Sequence, residues 1–461
     1  MGDTVHVYLR RLQKLALAAA MAGSMAQGQN APSLSAAERS IDAGLAQTIA
    51  AVQAIDDHAH PVLPPPHDQT DRAFDALPVD NMEPGTDLVA WRPDNRQLPA
   101  AWAALWGFAD SVPLDADGMK RLDAAKARVK AREKQHYAVW VLNQAGIGAM
   151  LANRVAMDSG TGPGLAPPRF RWVPYADALL FPLDNTGLSK ATPDRGQFFP
   201  MEDQLRTRYL RAAGLEVIPL TLADYLSKVV TPTLERQRAG GAVAEKFEIA
   251  YLRGFDFTNP TLDEAERIYT KWVGQAQPDP AEYKVLQDYL FRYIAGECGR
   301  LGMVVHLHAM AGGGAYFGVS GANPLLLESV FDDPRLRKTR FVLLHGGWPF
   351  VREAGALLQK PNVYLDLSQE TLAFSPRTLS GWLREWLETY PEKVMFGTDG
   401  YPYSAAMGWE ESTWIANHNG REALGLALSG MLKDDEISRA RAVEIAQKVL
   451  RDTAASLYGI R

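Results

Sequence analysis

Eight short apolar runs, separated by amphipathic stretches, leave this chain few folds to choose from. The runs fall at residues 52–57, 148–152, 170–173, 242–249, 303–307, 341–344, 363–367 and 394–397. They are rich in Val, Ile, Leu, Phe and Met and carry few interior charges, as parallel strands covered on both faces do. The segments at 119–138, 221–238, 281–300, 323–331, 375–390 and 434–457 have helical periodicity. Alternation repeated eight times predicts an α/β fold of the closed (β/α)8 TIM-barrel kind; an open doubly wound sheet is the other arrangement it allows. Two connections, 61–118 after strand one and 174–219 after strand three, are longer than a plain barrel needs. They are expected as inserted loops on the face where barrel active sites lie. With no internal repeat or second domain visible, residues 27–461 read as one domain.

Composition narrows the class further. Hydrophobic residues are 47% and charged residues 22% of the 461, a balance that supports a large folded core. The net charge of −6 gives no reason to expect nucleic acid as a partner. A single cysteine, Cys298, rules out an internal disulfide and reads as a small residue on a helix face. At the N-terminus Arg10, Arg11 and Lys14 precede an apolar run at 15–22 and a small-residue stretch ending at Ala26. That order predicts a signal peptide over 1–26 and a periplasmic or secreted mature protein, with a disordered leader as the competing reading. No later stretch is long and apolar enough for a membrane span.

Five of the nine histidines stand at the ends of predicted strands. His58 and His60 close the first run, and residues two apart on a strand point to one side. Neutral imidazoles at that spacing suit a divalent transition metal, zinc above all. The fifth run ends in His306 and His308, the sixth in His345, and the eighth in Gly397-Thr398-Asp399. Each element has an ordinary explanation when taken alone: a lone His-x-His is more often chance than a metal site, and Thr-Asp-Gly is commonly a turn. Joint placement changes this, because barrel strand ends converge on one mouth. Four imidazoles and a carboxylate buried together without an ion would be poorly satisfied. His308 is the preferred ligand of its pair, and His306 is expected as a buried neighbour or substrate contact.

This pattern resembles the amidohydrolase superfamily, in particular its amidohydrolase-related branch with nodulin-like and decarboxylase members. The resemblance rests on Asp56 to Pro61, Lys246-Phe247-Glu248 through Tyr251-Leu252-Arg253, and His308 with the glycines after it. It extends through Asn323-Pro324-Leu325, His345-Gly346-Gly347-Trp348-Pro349-Phe350, Tyr364-Leu365-Asp366-Leu367-Ser368 and Gly397-Thr398-Asp399. It implies metal binding by His58, His60 and Asp399, with Asp399 also handling the proton of the attacking water. His308 would be a further ligand, and His345 either a ligand or the group that polarises the scissile bond. A carboxylated Lys246 would bridge two metals; the competing reading is a salt bridge to Glu245 or Glu248. Metal count, one ion or two, stays open.

The activity expected is hydrolysis of an amide, lactone or ester-like bond of a small molecule by metal-activated water. Non-oxidative decarboxylation of a small carboxylic acid is the alternative, and a non-catalytic metal binder the third reading. Arg253 could clamp a substrate carboxylate and Tyr251 follows the same strand, while an exposed arginine is the plainer reading of Arg253. Trp91, Trp102 and Trp106 either wall a pocket or pack the first long loop onto the barrel. A homo-oligomer is neither required nor excluded.

Overall fold

A computed structural model describes residues 40–63, 71, 73–78, 83–157 and 165–460. The expected signal peptide lies outside the described residues. All eight expected strands form, within a few residues of their expected bounds: β1 (Ala54–Ala59), β2 (Ile147–Asn153), β3 (Phe170–Val173), β4 (Ala244–Phe247), β5 (Val304–His308), β6 (Phe341–Leu344), β7 (Val363–Asp366) and β8 (Val394–Met395). Every pairing between them is parallel, in the orders β1-β2-β3 and β4-β5-β6-β7-β8.

Backbone hydrogen bonds link the two sheets at both edges. After β3, Lys246 N donates to Pro174 O (2.8 Å) and Ala176 N to Lys246 O (2.9 Å). At the other edge Asp57 N donates to Phe396 O (3.1 Å), Asp399 N to His58 O (2.8 Å) and His60 N to Gly400 O (2.9 Å).

Side-chain alternation sorts the strands between an inner core and two outer ones. On β5, Val305 and Leu307 join the large cluster that faces the helices, whereas Val304 joins an inner cluster. The inner cluster also gathers Ile55, Leu151, Val173, Ala244, Val342 and Met395, with Tyr364 against it, so all eight strands contribute. Its floor is Ala454, Leu457 and Ile460, at and beyond the C-terminal helix. His306 and His308 share the side of Val304, and Lys246 the side of Ala244. A lysine and two histidines are thereby carried into the interior.

The helices, in chain order, are α1 (Ala43–Ala51), α2 (Leu98–Trp106), α3 (Ala116–Glu133), α4 (Tyr137–Gln144), α5 (Pro193–Ala212), α6 (Thr231–Ala239), α7 (Leu262–Trp272), α8 (Pro280–Leu301), α9 (Val351–Leu357), α10 (Pro376–Thr389), α11 (Trp409–Lys433), α12 (Arg439–Gln447) and α13 (Thr453–Tyr458), with shorter turns between. Cys298 is buried on α8.

The two long connections are not bare loops. The first contains α2 and the start of α3; the second contains the twenty residues of α5. Pro193 and Pro200 suggest a loop, yet Pro193 occupies the first helical position, where no amide donor is required, behind a Thr192 cap that accepts from Arg195 N. Of the three tryptophans, Trp102 and Trp106 are packing residues, donating to Ala406 O (3.0 Å) and Glu411 Oε1 (2.8 Å). Among the described residues no helix is long and apolar enough to cross a membrane.

Candidate metal centre

The end of β1 carries the centre. Its register against β2 shifts between Asp56 and Ala59, so consecutive side chains depart from strict alternation. Asp56 ties this stretch to the segment after β8, accepting from Thr398 N (2.9 Å) and Thr398 Oγ1 (2.6 Å). Asp399 is thereby delivered to both β1 histidines: its Oδ1 lies 3.2 Å from His58 Nε2 and 3.3 Å from His60 Nε2.

His345, directly after β6, completes the group. One ligand atom each from His58, His345 and Asp399 all lie within 4.8 Å of one another, and all three residues are buried. His308 stacks edge-on against His345 with ring centroids 4.6 Å apart. Lys246 Nζ is 3.3 Å from His58 Nε2, so the strand-four lysine faces the ligands and not Glu245.

The backbone is strained where the site is densest. His345 (φ 68°), Gln369 (φ 59°) and Asp399 (φ 53°) follow β6, β7 and β8 in the left-handed region, which L side chains rarely adopt. Gly346 beside them has φ 61°, and a Cβ there would collide with the Glu370 carboxyl group.

A second layer of contacts sets which imidazole nitrogen faces the centre. His60 Nδ1 meets Asp75 Oδ2 at 3.3 Å and Tyr175 Oη at 3.2 Å, and Tyr175 donates to Asp75 Oδ1 (2.8 Å). His345 Nδ1 meets Ser368 Oγ at 2.8 Å, while its backbone N donates to Asp366 Oδ1 (2.6 Å). In each case Nδ1 is occupied, which leaves Nε2 for the site. Asp366 thus orients a histidine, as its place at the end of strand seven allows. Its carboxyl is also bonded to that of Asp57; burial, partly offset by these contacts, raises its pKa to about 6. Tyr403 Oη donates to Asp399 Oδ2 (3.2 Å).

Electrostatics match a cation that is supplied from outside the chain. Burial, then Lys246, holds His58 and His308 well below the usual imidazole range, and burial does the same for His345. Neutral imidazoles are the form that ligates. Burial works against a proton on His60, but Asp75 and Asp399 on either side outweigh it and lift its pKa to about 9. For Asp399 burial raises the pKa and the surrounding histidines lower it, leaving it well below the ordinary carboxylate range. His308 Nε2 is buried and has no partner among the described residues. An acceptor lone pair orphaned beside two imidazoles and an ionised carboxylate fits a divalent transition metal.

Three sequence candidates lie farther out or deeper in. His306 faces away from the others, with Nε2 2.7 Å from Tyr458 Oη on α13, and is not among the residues lining the cavity. Being one strand layer lower, it contacts the floor of the inner core and no substrate space. Arg253 is likewise outside the cavity lining: it pairs with Asp288 (2.8 Å) and Gln287 (3.1 Å) and covers Phe257. Its guanidinium is committed to α8, neither exposed nor available as a clamp. Tyr251 does line the cavity, its ring 4.6 Å from that of His308.

The cavity above the centre has a volume of about 480 Å³. Asp75, Glu248, Gln369, Tyr401 and Tyr403 line it and were not candidates from the sequence. Tyr401 and Tyr403 follow Gly397-Thr398-Asp399 so closely that strand-end position could have found them. Nothing local marks Asp75, whose role depends on a partner fifteen residues back and another a hundred residues on.

Residues 238–460 match the family model described as amidohydrolase. Over that stretch, just under half of its length, the chain is similar to the amidohydrolase family. Protein fluG of Emericella nidulans is 29% identical over 229 residues, which cover 47% of this chain and 25% of fluG. The chain therefore spans about a quarter of the length of that curated relative. Among solved structures, a candidate metal-dependent hydrolase of Lactobacillus casei has a TM-score of 0.56 at 18% identity, covering 90% of this chain and 97% of its own. Uronate isomerase of Thermotoga maritima gives 0.61 at 12% identity (92% and 100% covered), and glucuronate isomerase of Caulobacter crescentus 0.60 at 14% (93% and 97%). At these identities the likeness is one of fold.

Proposed function

We propose that this protein is a divalent-metal-dependent hydrolase of the amidohydrolase superfamily on a closed (β/α)8 barrel, cleaving an amide, lactone or ester-like bond of a small molecule. The observation that carries the reading is the convergence of His58, His345 and Asp399 ligand atoms within 4.8 Å, with His60 and His308 beside them. Zinc suits a donor set of imidazoles and one carboxylate. A divalent ion held there supplies Lewis acidity to activate water and polarise the scissile carbonyl.

The protein's own groups do the rest. Asp399 is ionised and accepts the proton of the attacking water, with Tyr403 steadying its other oxygen. The same proton then passes from Asp399 to the departing nitrogen or oxygen. His345, fixed through Ser368, presents its Nε2 to the site as a ligand atom. Lys246, turned towards His58, is where carboxylation would bridge a second ion. A lysine on strand four that faces the site favours hydrolysis over decarboxylation. Export from the cytoplasm remains part of the proposal, on the composition of residues 10–26.

The test is metal content per chain on protein purified without added metal, compared with a His58→Ala, His60→Ala double variant. About one or two ions lost in the variant supports the centre. Metal-free parent protein, or a variant that keeps its ions, refutes it; a value near two favours a carboxylated Lys246.

A further inference from the structure

The walls of the cavity carry information about what enters it. One wall is aromatic: Trp91 stacks on Tyr403 with centroids 5.3 Å apart and planes 13° apart, and Tyr401 packs against both Tyr403 (5.2 Å) and His60 (5.6 Å). Another is acidic. Asp75, Asp87 and Glu248 line the space besides Asp399, and Lys246 is the one lysine or arginine among the described lining residues. That lysine is turned to His58 at 3.3 Å.

Glu248 is the telling group. It is 4% exposed, lines the cavity, and its Oε2 has no hydrogen-bond donor among the described residues. Its backbone is held in place, since Glu248 N donates to Asp177 Oδ2 at 2.7 Å. The charged neighbours that bear on its carboxyl are Asp75, Lys246, His60 and Asp177. A buried carboxyl oxygen without a donor is costly, and a cationic N–H donor removes that cost best. Tyr251 and Tyr401 line the same cavity, and aromatic rings attract a cation that comes over their faces.

We propose that the cavity selects a substrate bearing both a flat apolar group and an ammonium group, the ammonium donating to Glu248 and the flat group lying along the Trp91–Tyr403 wall. The scissile bond then points at Asp399 and His345. This assignment rests on the hydrolase reading for the position of the scissile bond, but the recognition it describes is measured without turnover.

The experiment is calorimetric titration of the metal-loaded protein with 3-phenylpropylamine and with 3-phenylpropanol, which share a ring and chain and differ in the cation. The expected result is amine binding about tenfold or more tighter than alcohol binding in the parent, the size of a charge-assisted contact. Glu248→Gln reduces that preference to within about threefold and leaves alcohol affinity unchanged, whereas Trp91→Ala weakens both ligands alike. Glu248→Asp, a conservative change, retains part of the preference and controls for folding. Alcohol binding as tight as amine binding, no binding of either ligand, or an amine preference that survives Glu248→Gln would overturn the proposal. Metal retained with no amine preference sinks this inference alone; amine preference with a metal-free centre sinks the hydrolase reading alone.

Discussion

Asp399 shows how much one side chain at a strand end can be asked to do. Its Oδ1 touches two histidines, its Oδ2 takes the Tyr403 hydroxyl, and its backbone bends through a positive φ to get there. Gln369 bears the same strain with less return, since it is 4% exposed and its Oε1 has no donor among the described residues. Gln369→Gly should therefore raise stability by about 1 kcal/mol in chemical denaturation, because glycine adopts that φ without penalty. Asp177 offers a test by pH. Burial, opposed by the Glu248 amide and Lys246, raises its pKa from 3.8 to about 7. The folded protein then holds this proton more tightly than the unfolded chain. Its contribution is fully present below about pH 4 and is lost as pH rises towards 7. Asp177→Asn should gain stability relative to the parent across that window, by up to about 4 kcal/mol, in melts at stepped pH. The five strand-end ligand candidates were legible because histidines and an aspartate in those places have few cheap alternatives. Asp75, Glu248 and Ser368 were not, since their meaning comes from distant partners.

At the scale of elements, all eight strands are visible in the apolar runs because parallel strands covered on both faces must be apolar throughout. Helices inside the long connections are harder to see. Prolines and glycines punctuate those segments, and only the cap at Thr192 signals that Pro193 starts a helix. The segment after β1 has a further use: it brings Asp75 against His60 Nδ1 and Tyr175. A carboxylate behind a ligating histidine raises its basicity and fixes its ring. Asp75→Asn should weaken metal affinity by about 10- to 100-fold, read by competition with a chelator, while the far-ultraviolet circular dichroism stays unchanged. An unaltered affinity would return Asp75 to a packing role.

For the molecule as a whole, one set of strands separates an inner core from an outer layer. The outer one is built by helices; the inner one is closed from below by Ala454, Leu457 and Ile460. Tyr458 joins that floor to the centre, bonding His306 and approaching Asp57 Oδ2 at 3.5 Å. Leu457→Ala should cost about 2–5 kcal/mol of global stability in denaturant titration, since the plug touches residues from several strands at once. A loss below about 0.5 kcal/mol would mean the floor is dispensable. The contact between Asp75 and His60 has a wider consequence. Asp75 and the candidate centre meet in that contact, so whatever holds one in place favours the other by an equal factor. A molecule that touches Asp75 in the cavity would thereby also act on His60, and so on the candidate centre.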